Sequence, residues 1–238
     1  MINGMLESSR GCIKEELRMD IISSNLSNIN VIGYKKDRVS FHKMLNQAAV
    51  TADAPANVTI KPDMEQGDLT ATGNELDLAI TGKGFFKINT VNGIRYTRKG
   101  NFTLDPNGVL VTQSGDTVMG KKGPIQITGK NITIDSKGKI LTEQGEIGQL
   151  ALVDFEDYQG IAKEGKNLFV NLKEDIPELN ISMKSNVSQG YTEQSNVNAA
   201  EEMVNMIHAL RAFESYQKSM RVIDELNNRA INQVGRLR

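Results

Sequence analysis

Glycine and proline are unevenly distributed along this chain of 238 residues, and no other feature limits its possible folds as much. Seventeen of the 21 glycines fall between positions 61 and 195, whereas the first 60 residues hold only Gly4, Gly11 and Gly33 and the last stretch only Gly235. All five prolines, from Pro55 to Pro177, lie in or just before the same middle stretch. Both residue types interrupt helices and make turns. The partition therefore predicts a mixed, mainly β chain: an N-terminal helix with an extended linker over 1–60, a central all-β domain over 61–195, and a C-terminal helix over 196–238.

The ends carry helical patterning. Ile2, Met5, Leu6, Ile13, Leu17, Ile21, Leu26 and Ile29 recur at helical spacing with charged residues between them. Asn28-Ile29-Asn30-Val31-Ile32-Gly33 should close that helix, because Asn and Gly accept the left-handed conformation. Near the other end, Asn198 followed three residues later by Glu201 fits a helix cap. After it come Met203, Ile207, Leu210, Phe213, Tyr216, Met220, Ile223, Leu226, Ala230 and Val234, at gaps close to the 3.5-residue period of a coiled-coil seam. A helix over 198–234 would be about 55 Å long at ~1.5 Å per residue, longer than a compact domain. The two ends are expected to pair with each other, and a two-helix seam buries so little surface that neighbouring subunits must supply the rest.

The middle reads as short strands. Leu76-Asp77-Leu78-Ala79-Ile80 alternates with a two-residue period that would leave Asp77 facing outward, and Gly82-Lys83-Gly84 turns the chain into Phe85-Phe86-Lys87-Ile88. Further strands are expected at 94–97, 101–104, 109–112, 125–128, 132–134, 139–142 and 148–155. Residues 103–115 align without gaps to 133–145, and each copy carries Asp-x-x-Gly, at Asp105 to Gly108 and Asp135 to Gly138. The shared motif predicts two hairpins with the same turn, Asp accepting local backbone hydrogen bonds and Gly taking positive φ.

Sites of chemistry are scarce. Charge is balanced, 28 Lys plus Arg against 29 Asp plus Glu, which argues against general binding of nucleic acid or anionic membranes. One Cys and two His cannot make a disulfide or a His/Cys zinc site. Asp105, Asn107 and Asp116 brush against a calcium loop, but Val109 and Val111 occupy ligand positions and Gly108 is displaced. Gly82-x-Gly84 lacks the third glycine and following helix of a dinucleotide loop. His42 and His208 stand in no catalytic spacing, Cys12 reads as a small apolar residue, and Lys35-Lys36-Asp37-Arg38 reads as a solvated basic loop. A hydrolase using Asp68 or Asp77 has little support. A ligand-binding β module on a coiled-coil stalk would want an aromatic groove, and the chain has no Trp and 5% aromatics. No apolar run approaches the ~20 residues of a membrane span, and charges from Glu7 to Arg18 break any signal-peptide core. No catalytic residue, cofactor or metal is expected.

Three separated motifs together resemble one family. Asn25-Leu26-Ser27-Asn28-Ile29-Asn30 with Gly33-Tyr34-Lys35 is similar to the N-terminal signature of bacterial flagellar rod and hook proteins. Gln66-Gly67-Asp68-Leu69, Thr72 to Ile80 with Gly82, Gly84, Phe85 and Phe86, and Tyr96-Thr97-Arg98-Lys99-Gly100-Asn101-Phe102 resemble the start of that family's β domain. Glu193-Gln194-Ser195-Asn196-Val197-Asn198 and Glu201 to Ile207 resemble its C-terminal signature. Ser27 and Val31 stand where the family usually has Ala and Thr. The stretch 194–207 looks like the distal rod protein, whereas the ending 230–238 and the modest length look like the FlgF-type proximal rod protein, the subtype favoured here.

The resemblance implies a structural subunit exported through the flagellar type III apparatus without a cleaved signal. It would stack with copies of itself and with other rod and hook proteins into the periplasm-spanning rod of the basal body. Neither nucleic acid nor direct membrane insertion is implied. The residues expected at the subunit interface are Leu6, Ile13, Leu17, Ile21, Asn25, Leu26, Asn28, Asn30, Gly33, Asn196, Asn198, Met203, Ile207, Leu210, Phe213, Met220 and Ile223.

Overall fold

The structure is a computed structural model that describes residues 2–42, 57–129, 131–173, 177–180 and 185–235. Much of the expected linker, 43–56, lies outside these residues, as do 236–238 and the side chains of Ile2, His42 and Val234. The chain is mixed and mostly strands, with one long helix near each end: α1, Ile2–Ser27, and α2, Ala199–Gly235. Its described residues divide into two compact units, one drawn from 1–27, 39–59 and 198–238, the other from 28–38 and 60–197.

In the helical unit α1 packs against α2. The α1 end follows from its Asn- and Gly-rich close: turns occupy 28–30, the Val31 amide donates to the Asn28 carbonyl, and Gly33 adopts φ +69°. The start of α2 follows from Asn198, whose Oδ1 accepts the Glu201 amide at 3.2 Å while its carbonyl accepts the Glu202 amide. Those bonds satisfy orphan donors of the first turn and set the beginning of the helix.

The second unit is built on an antiparallel sheet. Its main path runs Ile161–Gly165, Leu168–Asn171, Gly93–Thr97, Phe85–Thr90, Thr117–Gly120, Leu110–Thr112 and Phe102–Leu104. Leu152–Asp154 also pairs with Phe85–Thr90. Strand Phe85–Thr90 is covered on both faces, so it shows a continuous apolar start rather than strict alternation. Phe86 and Ile88 enter a core with Phe102, Leu110, Val118, Ile140 and Leu150, while Phe85 enters a second core with Tyr96, Phe155 and Phe169. Phe86 meets Phe102 edge-on at 5.1 Å between ring centres, and Tyr96 meets Phe155 the same way at 4.9 Å, geometry that aromatic quadrupoles favour.

The sequence echo is a structural echo. Phe102–Leu104 pairs with Leu110–Thr112, and Thr133–Ile134 with Lys139–Thr142, each antiparallel. Asp105 Oδ1 accepts the amides of Asn107 and Val109, and Asp135 Oδ1 those of Lys137 and Lys139. Gly108 and Gly138 take φ of 78° and 74°, as the turn requires.

Some expected strands change. Over 125–128 only an isolated bridge from Gln126 to Val109 forms; Ile125 and Ile127 alternate because both enter the core, not because they belong to a ladder. The expected strand 148–155 breaks in two, Gly145–Gln149 and Leu152–Asp154, because its first part pairs within a three-stranded sheet and its second with Phe85–Thr90. Asp77, expected to face outward, is buried and accepts a hydrogen bond from Asn74 Nδ2 at 3.0 Å.

Candidate assembly site

The helix pair comes first, by itself. A Cβ at Gly4 would lie 3.3 Å from Ile223, and one at Gly11 would lie 2.6 Å from the Tyr216 ring. Seven residues forward along α1 thus answer to seven residues back along α2, an antiparallel register. Gly11 costs helix propensity, about 1 kcal/mol relative to Ala, but its missing side chain admits the Tyr216 ring. Along α1 the buried residues are Ser8, Gly11, Cys12, Glu15, Ile21, Ile22 and Asn25; along α2 the covered ones include Glu202, Met206, Ala209, Phe213, Met220, Ile223, Asn227 and Ala230. Both stripes step by threes and fours, and both contain polar residues.

The residues expected at a subunit interface divide between this stripe and the outside. Ile21 and Asn25 are buried, and Leu17, Leu26, Phe213, Met220 and Ile223 are partly covered. Leu6, Ile13, Met203, Ile207 and Leu210 are exposed, Ile13 by 63% and Met203 by 53%; Met5, Val204, Val222, Leu226 and Ile231 join them. Asn28 is partly covered, Asn30 and Asn198 are exposed. Exposed apolar side chains in such numbers are more than the scattered single ones usual on a protein surface.

In the other unit, Gly33 and Asn196 from the same expectation meet at a polar junction. The Gly33 amide donates to the Glu193 carbonyl at 2.7 Å, and the Asn196 amide to the Tyr34 carbonyl. Asn196 Oδ1 accepts the Lys36 amide at 2.7 Å, and its Nδ2 donates to the carbonyls of Asp63 and Glu65. Gly33 has no substitute: a Cβ there would lie 2.5 Å from the Lys99 backbone nitrogen. Asn167 Nδ2 donates to the Ile32 carbonyl, and the Lys163 ammonium, bound to Asp37 at 2.7 Å, sits 4.1 Å over the Tyr34 ring.

The centre of the junction is a buried charge cluster. Lys35 Nζ donates to Glu193 Oε1 at 2.6 Å and to the Glu65 carbonyl at 2.6 Å. Arg98 Nη1 donates to Glu193 Oε2 at 3.1 Å and to the Ile80 carbonyl, and its Nη2 to the Gly82 carbonyl at 2.7 Å. The Gly67 amide completes the carboxylate's shell at 3.1 Å. Lys35 is 1% exposed, Glu193 0% and Arg98 3%. Burial pushes the Lys35 ammonium below its ordinary pKa, opposed by the attraction and hydrogen bond of Glu193. Desolvating three charges is costly, so the cluster holds only because nearly every donor and acceptor has a partner. Lys35 and Lys36 are therefore not the solvated patch expected from the sequence; the carboxylate that buries Lys35 stands 158 residues away.

Three family models match separate parts of the chain: a flagella basal body rod protein model over 6–35, a flagellar hook protein FlgE/F/G D1 domain model over 79–145, and a flagellar basal body rod FlgEFG protein C-terminal model over 188–233. A flagellar basal-body rod protein FlgF of Caulobacter vibrioides is 34% identical over 92% of this chain and 92% of its own length. The chain belongs to the flagellar basal-body rod protein family. A rod protein FlgG of Buchnera aphidicola is 33% identical over 95% of this chain and 97% of its own, and the FlgG of Bacillus subtilis 30% identical over 98% and 99%.

In this rod-family chain each of the three matched parts contributes one member of the buried cluster: Lys35, Arg98 and Glu193. The cluster is thus where the family's three separated segments meet. The resemblance read from the sequence pointed to those segments but not to the charges that join them. Nothing local in the sequence distinguishes a buried lysine from a solvated one, since the carboxylate that pairs with Lys35 comes from 158 residues away. No group of three or more His, Cys, Asp or Glu able to hold a metal occurs among the described residues, and no described helix is long and apolar enough to cross a membrane.

Proposed function

We propose that this chain is a structural subunit of the bacterial flagellar basal-body rod, without enzymatic activity, that polymerises through its terminal helices. The observation that carries this reading is the row of exposed apolar residues on α1 and α2, Leu6, Ile13, Met203, Ile207 and Leu210 among them, left uncovered by the pairing of the two helices. In the rod those residues, together with the covered seam at Leu17, Ile21, Leu26, Phe213, Met220 and Ile223, form a coiled-coil inner layer shared by neighbouring copies. Contacts of this kind that do not close on themselves propagate into a filament.

The assembly regions are 1–60 and 196–238, and the central β domain, 61–195, forms the outer layer. The partners are copies of itself, other rod and hook proteins, and the flagellar type III export apparatus, and the place is the periplasmic space. The ending 230–238 favours the proximal part of the rod.

The test is a double substitution on the exposed face of α2, Ile207→Asp with Leu210→Asp. The expected outcome is an isolated protein whose β unit unfolds within about 0.5 kcal/mol of the parent, as surface changes do, in a strain that builds no complete rod and does not swim. Complete rods and normal swimming would overturn the reading. Imaging the basal bodies of a deletion strain places the subunit: a stub that stops on the export side fits a proximal subunit, and a nearly full rod without a hook fits a distal one.

A further inference from the structure

The α1–α2 pair carries facing residues in a single row. A Cβ at Gly4 would meet Ile223 and one at Gly11 would meet the Tyr216 ring, so the two contacts stand the same number of residues apart on each helix. Continued in equal steps, that count sets Arg18 opposite Ala209 and Asn25 opposite Glu202. Burial follows it: Ala209 is 0% exposed, Asn25 1% and Glu202 6%. A heptad seam slid by one whole repeat still brings the same two rows together, so the repeat alone does not choose the alignment.

Most of the seam discriminates weakly between such alignments. A slide one way carries Tyr216 from Gly11 to Gly4, and a slide the other way carries Ile223 from Gly4 to Gly11. In both cases a bulky side chain again finds a glycine. Two of the buried polar residues choose no better, because the groups that answer to them travel with the helix. Glu15 Oε2 lies 3.8 Å from Arg18 Nη1 of its own helix, and Ser8 falls opposite Ser219, whose hydroxyl donates to the Ser215 carbonyl.

Asn25 and Glu202 differ, since they stand on opposite helices and either slide uncouples them. The first would leave Asn25 beyond the start of α2 and set Glu202 opposite Arg18; the second would set Asn25 opposite the Ala209 methyl, which offers a buried amide no partner. Only the observed alignment matches an amide, with two donors, to a carboxylate that only accepts. The charge of Glu202 also lies in the first turn of α2, where the helix dipole favours it.

We infer that Asn25 and Glu202 are the register-setting pair of the α1–α2 seam: they select one of the heptad-related alignments that the rest of the seam tolerates. A buried polar pair of this kind costs stability relative to an apolar one and secures a unique alignment in return. The property belongs to the two helices of one chain and holds whatever surface they later meet.

Spin labels read the alignment directly in the full chain. Glu16 and Glu225 are exposed, so Glu16→Cys and Glu225→Cys are labelled with nitroxides in a Cys12→Ser background. By the helix count the two sites lie about 20 Å apart along the axis, and a heptad slide lengthens or shortens that component by about 10 Å according to its direction. The parent should show one distance. Asn25→Ala with Glu202→Ala removes the pair without loss of intrinsic helix propensity, and should add a second, discrete distance as the preference for the native alignment falls about tenfold or more. Glu202→Gln, which keeps an acceptor oxygen, and Ser8→Ala, which removes a buried hydroxyl outside the pair, should each keep one distance. A single unchanged distance in the double variant overturns the inference, because the remaining seam then sets its own register. Two distances in the parent or in Ser8→Ala overturn it too, since the alignment would then not depend on this pair. So does a broad distribution with loss of far-UV helical signal in the double variant, which would make Asn25 and Glu202 a clasp that holds the helices together rather than a selector of their alignment.

Discussion

Lys35 and Glu193, 158 residues apart in the chain, form an ion pair of 2.6 Å in which neither side chain reaches solvent. The carboxylate also serves Arg98, so the cluster holds two cations and one anion. That imbalance makes the partners unequal. Removing Lys35 leaves a matched Arg98–Glu193 pair, whereas neutralising Glu193 leaves two buried cations facing each other. Glu193→Gln should therefore destabilise the β unit by about 3–5 kcal/mol, and Lys35→Met by about 1–3 kcal/mol. Denaturant midpoints of the two variants check the order; equal losses, or a larger one for Lys35→Met, would show that Arg98 does not share the carboxylate as the geometry requires.

The paired hairpin turns offer a second test. Asp105 and Asp135 each hold two backbone amides with one carboxylate oxygen. Asp105→Ala and Asp135→Ala should each cost about 1–2 kcal/mol, and the corresponding Asn variants less, because Asn keeps an acceptor oxygen. Urea unfolding of the four proteins measures this. A difference of more than about 1 kcal/mol between the two Ala variants would mean that the turns, alike in sequence and bonds, are not alike in energy.

A third concerns acid. The Glu178 carboxylate receives Lys87 Nζ at 2.6 Å and the Tyr96 hydroxyl at 2.6 Å. Partial burial works against its charge, but those two hydrogen bonds and the lysine's attraction prevail and hold its pKa below the ordinary 4.5. A carboxyl whose folded pKa is depressed contributes stability that is present above the unfolded pKa and lost as pH falls through the folded one. The gap in unfolding midpoint between the parent and Glu178→Gln should thus be widest near neutrality and close as pH drops below about 4.5. A gap that stays constant from pH 6 to pH 3 would remove Glu178 from the acid response. Tyr96 shifts the opposite way: burial, then the bond to Glu178, raises its pKa, so it keeps its proton well into alkaline solution.

Elements whose physics is local were legible in the sequence. Asn198 caps α2 because its side chain reaches an amide three residues on, and the Asp-x-x-Gly turns close within five residues. The Gly and Pro partition separated helix from strand because the helix penalty of each such residue is local, and α1 bears it at only two positions, Gly4 and Gly11. Strands beyond position 155, such as Leu168–Asn171 and Tyr191–Glu193, were not anticipated. Their patterning is weak, and partners far along the chain, Gly93–Thr97 and Leu69–Ala71, hold them in place.

By itself, then, the sequence determined where the two helices fall, where most strands before position 155 fall, and which turns recur, and it gave the helix pair a seam thin enough to need further partners. Only the tertiary structure decided that Lys35 is buried, that Asp77 points inward, and that Gly33 must be glycine because the Arg98–Lys99 backbone lies against it. The reason is the range of the interaction. A cap or a turn is settled by neighbours within a few residues, but the cost of burying a charge depends on whether an opposite charge arrives from elsewhere in the chain.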